Sequence, residues 1–292
     1  MAELVVLGPG GVGGFVAGAL ARAGAPVTVV AREPTAAAIG ERGLTIDSVR
    51  LGAFHARVRA VPLLDATGAT VVVATKATGL EAALASLRGE PELIVPLLNG
   101  LDHLELLGPR AAAASIRIEA TRTAPTRIEQ TSPFLRIDIG PSSPAVERFA
   151  ETMRAAGVPV EVLDSPAQVM WGKLVRLNAL ALTTSAYGLP LGPIRDDPER
   201  RSVLRAAVEE GSEVARAEGA DADAERTMGE LDDAHAALQT SMQRDIAAGR
   251  DTELNAIAGS VLRAAARHGI DSPAIERLAA QVADRAGEPV PS

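Results

Sequence analysis

Apolar residues fall into two regimes along this chain. In the first half they come as short, nearly continuous runs at Leu4–Leu7, Val27–Val30, 70–75 and 93–98, the pattern of strands buried on both faces of a parallel sheet. Helical stretches at 15–23 and 80–87 alternate with them, and Gly24 is placed to end the first. Between 115 and 139 shorter alternating segments (SIRIEAT, TRIEQ, FLRIDI) predict antiparallel strands that close this region, with 144–156 and 158–163 completing it. Strand signals then stop. Ser165-Pro166 reads as an N-cap followed by proline at the first helical position, and Ser272-Pro273 repeats the signature. Ala/Arg/Glu/Leu-rich helices are predicted over 167–187, 198–218, 222–248, 252–268 and 273–284. The pattern thus predicts an α/β domain over 1–165 and an all-helical domain over 166–292, with the active site expected between them.

Composition narrows the function classes. The 292 residues are 47% apolar, enough for a sizeable core, and the net charge of −8 argues against nucleic acid or an anionic membrane as partner. With no cysteine there is no disulfide or thiolate chemistry, and four scattered histidines (His55, His103, His235, His268) argue against a metal site. The apolar stretch near 11–21 is too short to span a bilayer, and a start that carries Glu3 without a basic segment does not read as a signal peptide. A cytoplasmic protein is the expectation.

The run Leu4–Leu7 leads into Gly8-Pro9-Gly10-Gly11-Val12-Gly13, then a helix and a second strand. Strand, G-x-G-x-x-G turn, helix and strand in sequence form the context that makes this motif informative. It predicts a Rossmann-type dinucleotide domain, with Gly8, Gly10, Gly11, Val12 and Gly13 around a pyrophosphate at the helix N-terminus. The second strand exits at Ala31-Arg32-Glu33. An arginine there can pair with the 2′-phosphate of NADP, so NADPH is read over NADH.

Of 29 cationic side chains only Lys76 and Lys173 are lysines. Codon preference is one reading; the other is that these positions need a cation able to donate a proton, which arginine cannot do. Lys76 follows the run at 70–75, and Asn99 follows the one at 93–98, so both sit at carboxyl ends of strands, where open α/β sheets bind ligands. Lys173 lies on the first helix of the second domain, two residues from the only tryptophan, Trp171. Ser241 and Asp245 share a helix face one turn apart, and Glu253 follows in a turn that opens the next helix.

These landmarks together resemble the ketopantoate reductase (2-dehydropantoate 2-reductase) family along nearly the whole chain. They are G-P-G-G-V-G at 8–13, Arg32, T-K-A at 75–77, L-N-G at 98–100, W-G-K-L at 171–174, S-M-Q-R-D at 241–245 and D-T-E-L-N at 251–255. The resemblance implies NADPH-dependent reduction of a 2-oxo acid, in pantothenate biosynthesis for the founding activity. It implies Lys173 as general acid, Glu253 as its support, Ser241 on the substrate carboxylate, and Lys76 and Asn99 at the nicotinamide and substrate end. Ala-rich helices in the second domain offer a dimer interface, and a homodimer is expected.

Three positions depart from the family pattern, which places asparagines where this chain has Leu177, Ala181 and Leu238. The nearby Asn178 lies five residues from Lys173, roughly 140° around a helix. The departures leave open a paralogue acting on a less polar ketone or imine, or a non-catalytic NADP(H)-binding sensor; a β-hydroxyacid dehydrogenase is a weaker alternative.

Overall fold

The computed structural model describes residues 3–291. They form two compact units: 3–98 with His103–Val169, and Asn99–Asp102 with 170–291.

The first unit is built on five parallel strands in the order Arg59–Val61, Val27–Val30, Leu4–Leu7, Thr70–Val73, Leu93–Pro96. The chain starts in the middle and builds outward both ways, so the order reverses beside Leu4–Leu7, the kind of switch point at which such sheets bind ligands. The apolar runs are continuous because both faces are covered. Leu4, Val6, Val29, Val72 and Val95 enter one cluster with Phe15, Val16 and Leu20 of the helix Gly11–Arg22. The alternate residues Val5, Leu7, Val30, Val71 and Val73 enter a second cluster with Ala66 and Leu80.

The helix Gly11–Arg22 also packs on a second sheet through glycines. A Cβ at Gly11 would lie 2.1 Å from the Ala120 carbonyl oxygen, one at Gly14 2.6 Å from Ile128 Cδ1, and one at Gly18 2.8 Å from Ile46 Cγ1. That sheet has the order Ala120–Ala124, Arg127–Gln130, Leu44–Ser48, Gly52–Ala56. The predicted antiparallel strands therefore do not form one closing sheet. Ala120–Ala124 and Arg127–Gln130 pair antiparallel with each other, and the latter runs parallel to Leu44–Ser48. Ala113–Arg117 and Arg136–Gly140 pair antiparallel elsewhere, with Val160–Val162 added in parallel.

The second unit is helical. The chain is thus α/β, with a parallel sheet at its start and a helical C-terminal region. The helix predicted over 222–248 is two helices, Ala224–Asp233 and Ser241–Ala247. The intervening backbone bonds outward instead: Leu191 N–H donates to Leu238 O at 3.0 Å and Gly192 N–H to Ala236 O at 2.8 Å. Thr240 then restarts the helix by accepting from Gln243 N–H at 3.3 Å. The segment predicted over 252–268 contains a π-helical turn, Asn255–Gly259, before Ser260–His268. Among the described residues no helix is long and apolar enough to cross a membrane.

The two Ser-Pro starts differ. Ser165 Oγ accepts from Gln168 N–H at 3.2 Å. The Ser272 hydroxyl caps nothing; the carboxylate of Glu210 accepts from Ala274 N–H at 2.9 Å and Ile275 N–H at 2.9 Å, capping Pro273–Ala286 from a neighbouring helix. Glu210→Ala should therefore cost about 1 kcal/mol and lower the thermal midpoint by roughly 2–4 °C. Ser272→Ala should stay within about 0.5 kcal/mol, because it removes a buried hydroxyl that has no hydrogen-bond partner among the described residues. Thermal unfolding of the two variants checks the contrast.

Candidate functional site

In the first unit the turn after Leu4–Leu7 is shaped by its glycines. Gly8 has φ +89°, a region that side chains avoid, and its carbonyl accepts from Gly10 N–H at 2.8 Å. A Cβ at Gly13 would lie 2.2 Å from that same carbonyl oxygen, so the helix start and the strand end meet backbone to backbone. At Gly10, by contrast, the nearest atom to such a Cβ is Ala74 O at 3.9 Å, which leaves space over the helix N-terminus. Gly10 is the N-cap, with no side-chain cap and no acidic residue in the first turn. The first N–H groups, from Gly11, Val12 and Gly13, meet the requirements of an anion cradle. Gly11 has a further reason to be glycine, its contact with Ala120, which the motif alone does not reveal.

Arg32 is exposed and is the N-cap residue of Glu33–Arg42. Lys76 is exposed at the start of the 3₁₀ turn Ala77–Gly79, three residues after the strand Thr70–Val73.

In the second unit the structure brings three of the singled-out residues together. Lys173 Nζ donates to Asn99 Oδ1 at 2.8 Å, and Asn99 Nδ2 donates to Glu253 Oε2 at 2.9 Å. Trp171 is buried, and Lys173, Asn99 and Glu253 are half-buried. An ammonium can only donate and a carboxylate only accept, so the amide between them has one satisfied orientation.

Each partner is held from behind. Gly100, with φ +87°, lets the chain turn so closely over the π-helical turn that a Cβ would lie 2.1 Å from Ala256 O. The next residues are fastened by Leu101 N–H to Ser260 Oγ at 3.1 Å and by Arg263 Nη2 to Asp102 Oδ2 at 2.6 Å. Ahead of Glu253, Thr252 donates its N–H and hydroxyl to the Glu288 carboxylate at 2.6 and 2.7 Å and accepts from Leu254 N–H at 3.1 Å. Sequence reasoning passes over Asp102, Ser260, Arg263 and Glu288. The glycine at 100 is the one local sign that another backbone comes close.

Ser241 is exposed at the first position of its helix, because Thr240 takes the cap. Asp245 is buried and pairs with Arg250 at 2.8 Å. On Pro166–Tyr187 the residues from 169 to 185 are buried except Gly172, Lys173, Arg176 and Leu177. Leu177 therefore lies on the same open stripe as Lys173, one turn on. Ala181 and Leu238 are buried in packing. Asn178 is fully buried, and its amide has no hydrogen-bond partner among the described residues. Among those residues no group of three or more His, Asp or Glu is placed to hold a metal ion.

Residues 4–144 match the family described as "Ketopantoate reductase PanE/ApbA", and residues 167–286 match "Ketopantoate reductase PanE/ApbA C terminal". The chain belongs to the ketopantoate reductase family. A 2-dehydropantoate 2-reductase of Caulobacter vibrioides is 31% identical over 289 residues, 94% of this chain and 96% of that protein. Among solved structures, 2-dehydropantoate 2-reductase from Geobacter metallireducens superposes with a TM-score of 0.87 at 25% identity, covering 97% of this chain and 99% of that one. A PanE/ApbA family ketopantoate reductase from Ralstonia eutropha gives 0.85 at 27% identity, covering 98% of each. The chain is accordingly an oxidoreductase of the class that acts on CH–OH groups.

The approach at Gly100 yields a direct test. Gly100→Ala places a Cβ against a carbonyl oxygen in a backbone region that alanine avoids. It should cost about 1–3 kcal/mol in chemical unfolding, whereas alanine at Gly229, where a Cβ meets nothing within 4 Å, should not.

Proposed function

We propose that this chain is an NADPH-dependent reductase of a 2-oxo acid, of the 2-dehydropantoate 2-reductase type, with Lys173 as its general acid. The observation that carries this reading is the chain of hydrogen bonds from Lys173 through Asn99 to Glu253. When bound, NADPH supplies a hydride to the ketone carbon, and the carbonyl oxygen becomes an alkoxide that needs a proton. A lysine ammonium can deliver that proton and stabilise the charge as it develops. Asn99 aims the ammonium by accepting one of its three N–H groups, and Glu253 fixes which end of the amide does so. Ser241 offers an exposed hydroxyl to the substrate carboxylate.

The glycine turn supports the cofactor half of the proposal. Gly8, Gly10, Gly11, Val12 and Gly13 form an uncapped helix start with room over Gly10 for a pyrophosphate. Arg32, exposed at the end of the second strand, would hold the 2′-phosphate. Lys76 is assigned a charge-positioning role toward the nicotinamide end. The family resemblance extends the reading to pantothenate biosynthesis, a cytoplasmic site and a homodimer.

Leu177 favours a second reading on the substrate. Half-buried on the stripe that carries Lys173, it offers an apolar contact where a hydroxylated substrate needs a polar one. A 2-oxo acid with an apolar side chain fits this face better than ketopantoate.

NADPH absorbance with ketopantoate and a panel of branched and aromatic 2-oxo acids tests the function. Lys173→Ala should lower kcat by at least about 10²-fold, and Lys173→Arg should not restore it. Wild-type protein that oxidises NADPH with none of these acids contradicts the proposal. For the cofactor, Arg32→Ala should raise KM for NADPH about tenfold while leaving KM for NADH within about twofold, as expected for loss of one charge-assisted contact.

A further inference from the structure

We propose that Asp102 and Arg263 are positioning residues: together they clip the segment carrying Asn99 to the segment carrying Glu253, and so hold the Asn99 amide in register with Lys173. This inference rests on the function proposed above.

The geometry is that of a clip. Arg263 lies on the helix Ser260–His268. Its Nη2 donates to Asp102 Oδ2 at 2.6 Å, three residues after Asn99. Its Nη1 donates to Asn255 Oδ1 at 3.0 Å, and Nη2 also reaches Asn255 O at 3.3 Å, two residues after Glu253. One planar guanidinium therefore joins the segment that carries the Asn99 amide to the segment that carries its partner Glu253. Its fixed fork suits this task in a way that a point charge does not. Ser260 works in the same direction. Its Oγ accepts from Leu101 N–H at 3.1 Å, and its single proton serves either Ala256 O at 2.7 Å or Asp102 Oδ2 at 3.1 Å. The π-helical turn Asn255–Gly259 supplies both the Asn255 side chain and the Ala256 carbonyl used here; such turns recur at functional sites.

A purely structural role does not account for the clip. The Asp102 and Arg263 side chains are 53% and 30% exposed, and ion pairs that open to solvent add little to global stability. Neither residue belongs to the apolar core. What the pair fixes is local: the path of residues 99–102 relative to 253–255.

The test uses Arg263→Ala, Asp102→Asn and Arg263→Lys in the full chain, each alone and with Asn99→Ala. Three readouts are taken: steady-state kinetics with the best 2-oxo acid, thermal midpoint, and hydrogen exchange of the Leu101 amide. Arg263→Ala and Asp102→Asn should lower kcat roughly 10–100-fold, the scale expected when a catalytic group is misplaced by about 1 Å. KM for NADPH should stay within about twofold and the midpoint nearly unchanged. Leu101 should exchange faster, and Arg263→Lys should recover part of both losses. On top of Asn99→Ala, the further loss in kcat should be less than about twofold, because the clip acts through that amide. Unchanged kcat with unchanged exchange in Arg263→Ala, or a full second loss in the Asn99→Ala background, overturns the proposal. Should wild-type protein reduce no 2-oxo acid, the functional reading fails, and the exchange of Leu101 still decides whether the clip exists.

Discussion

The second unit is organised around an amide with only one satisfied orientation. Asn99 lies between a group that can only donate and a group that can only accept, so its carbonyl must face Lys173 and its NH₂ must face Glu253. Half-burial makes a reversed amide costly, since two polar contacts would be lost together. Much of the surrounding geometry serves that arrangement. Gly100 permits the tight path past Ala256, Ser260 and Arg263 fasten the residues that follow, and Glu288 ties down Thr252 beside Glu253. The result is an ammonium whose direction is set by the fold itself, the kind of preorganised charge that the proposed carbonyl reduction needs.

Glycine does a different job in the first unit. The motif at 8–13 overlaps at Gly11 with a glycine stripe on the helix Gly11–Arg22, in which Gly11, Gly14 and Gly18 bring the helix against the mixed sheet. The same helix therefore presents its open N-terminus on one side and docks against a second sheet along its length. Gly10 is the position with space over it, while Gly8 and Gly13 are used up by the turn itself. A single run of glycines thus answers two separate steric demands.

How much of this could be read in advance follows from the range of each interaction. Four of the five parallel strands were legible because burial on both faces writes a continuous apolar run, and most helices of the second unit because their caps and periodicity are local. The strands Leu44–Ser48, Gly52–Ala56 and Arg59–Val61 escaped, since short, partly exposed strands with polar residues leave no such run. The break at 234–240 escaped because its carbonyls are satisfied by Leu191 and Gly192, more than forty residues earlier in the chain. Asn99, Lys173 and Glu253 could each be singled out, but the hydrogen bonds joining them span 74 and 154 residues. The fork of Arg263 left no mark among its many fellow arginines. Ser272 shows the opposite failure, a correct local signal for a helix start whose cap is supplied by Glu210 instead.

The presence of only two lysines makes the central claim unusually open to measurement. Lysine labelled with ¹⁵N at the side chain gives two ammonium resonances, one from Lys76 and one from Lys173, assignable by single substitution. The account predicts that the Lys173 ammonium is protected from solvent exchange, and that Asn99→Ala abolishes this protection and moves its resonance while leaving that of Lys76 unchanged. A Lys173 ammonium that exchanges freely in the wild-type protein, or that is indifferent to Asn99→Ala, contradicts it.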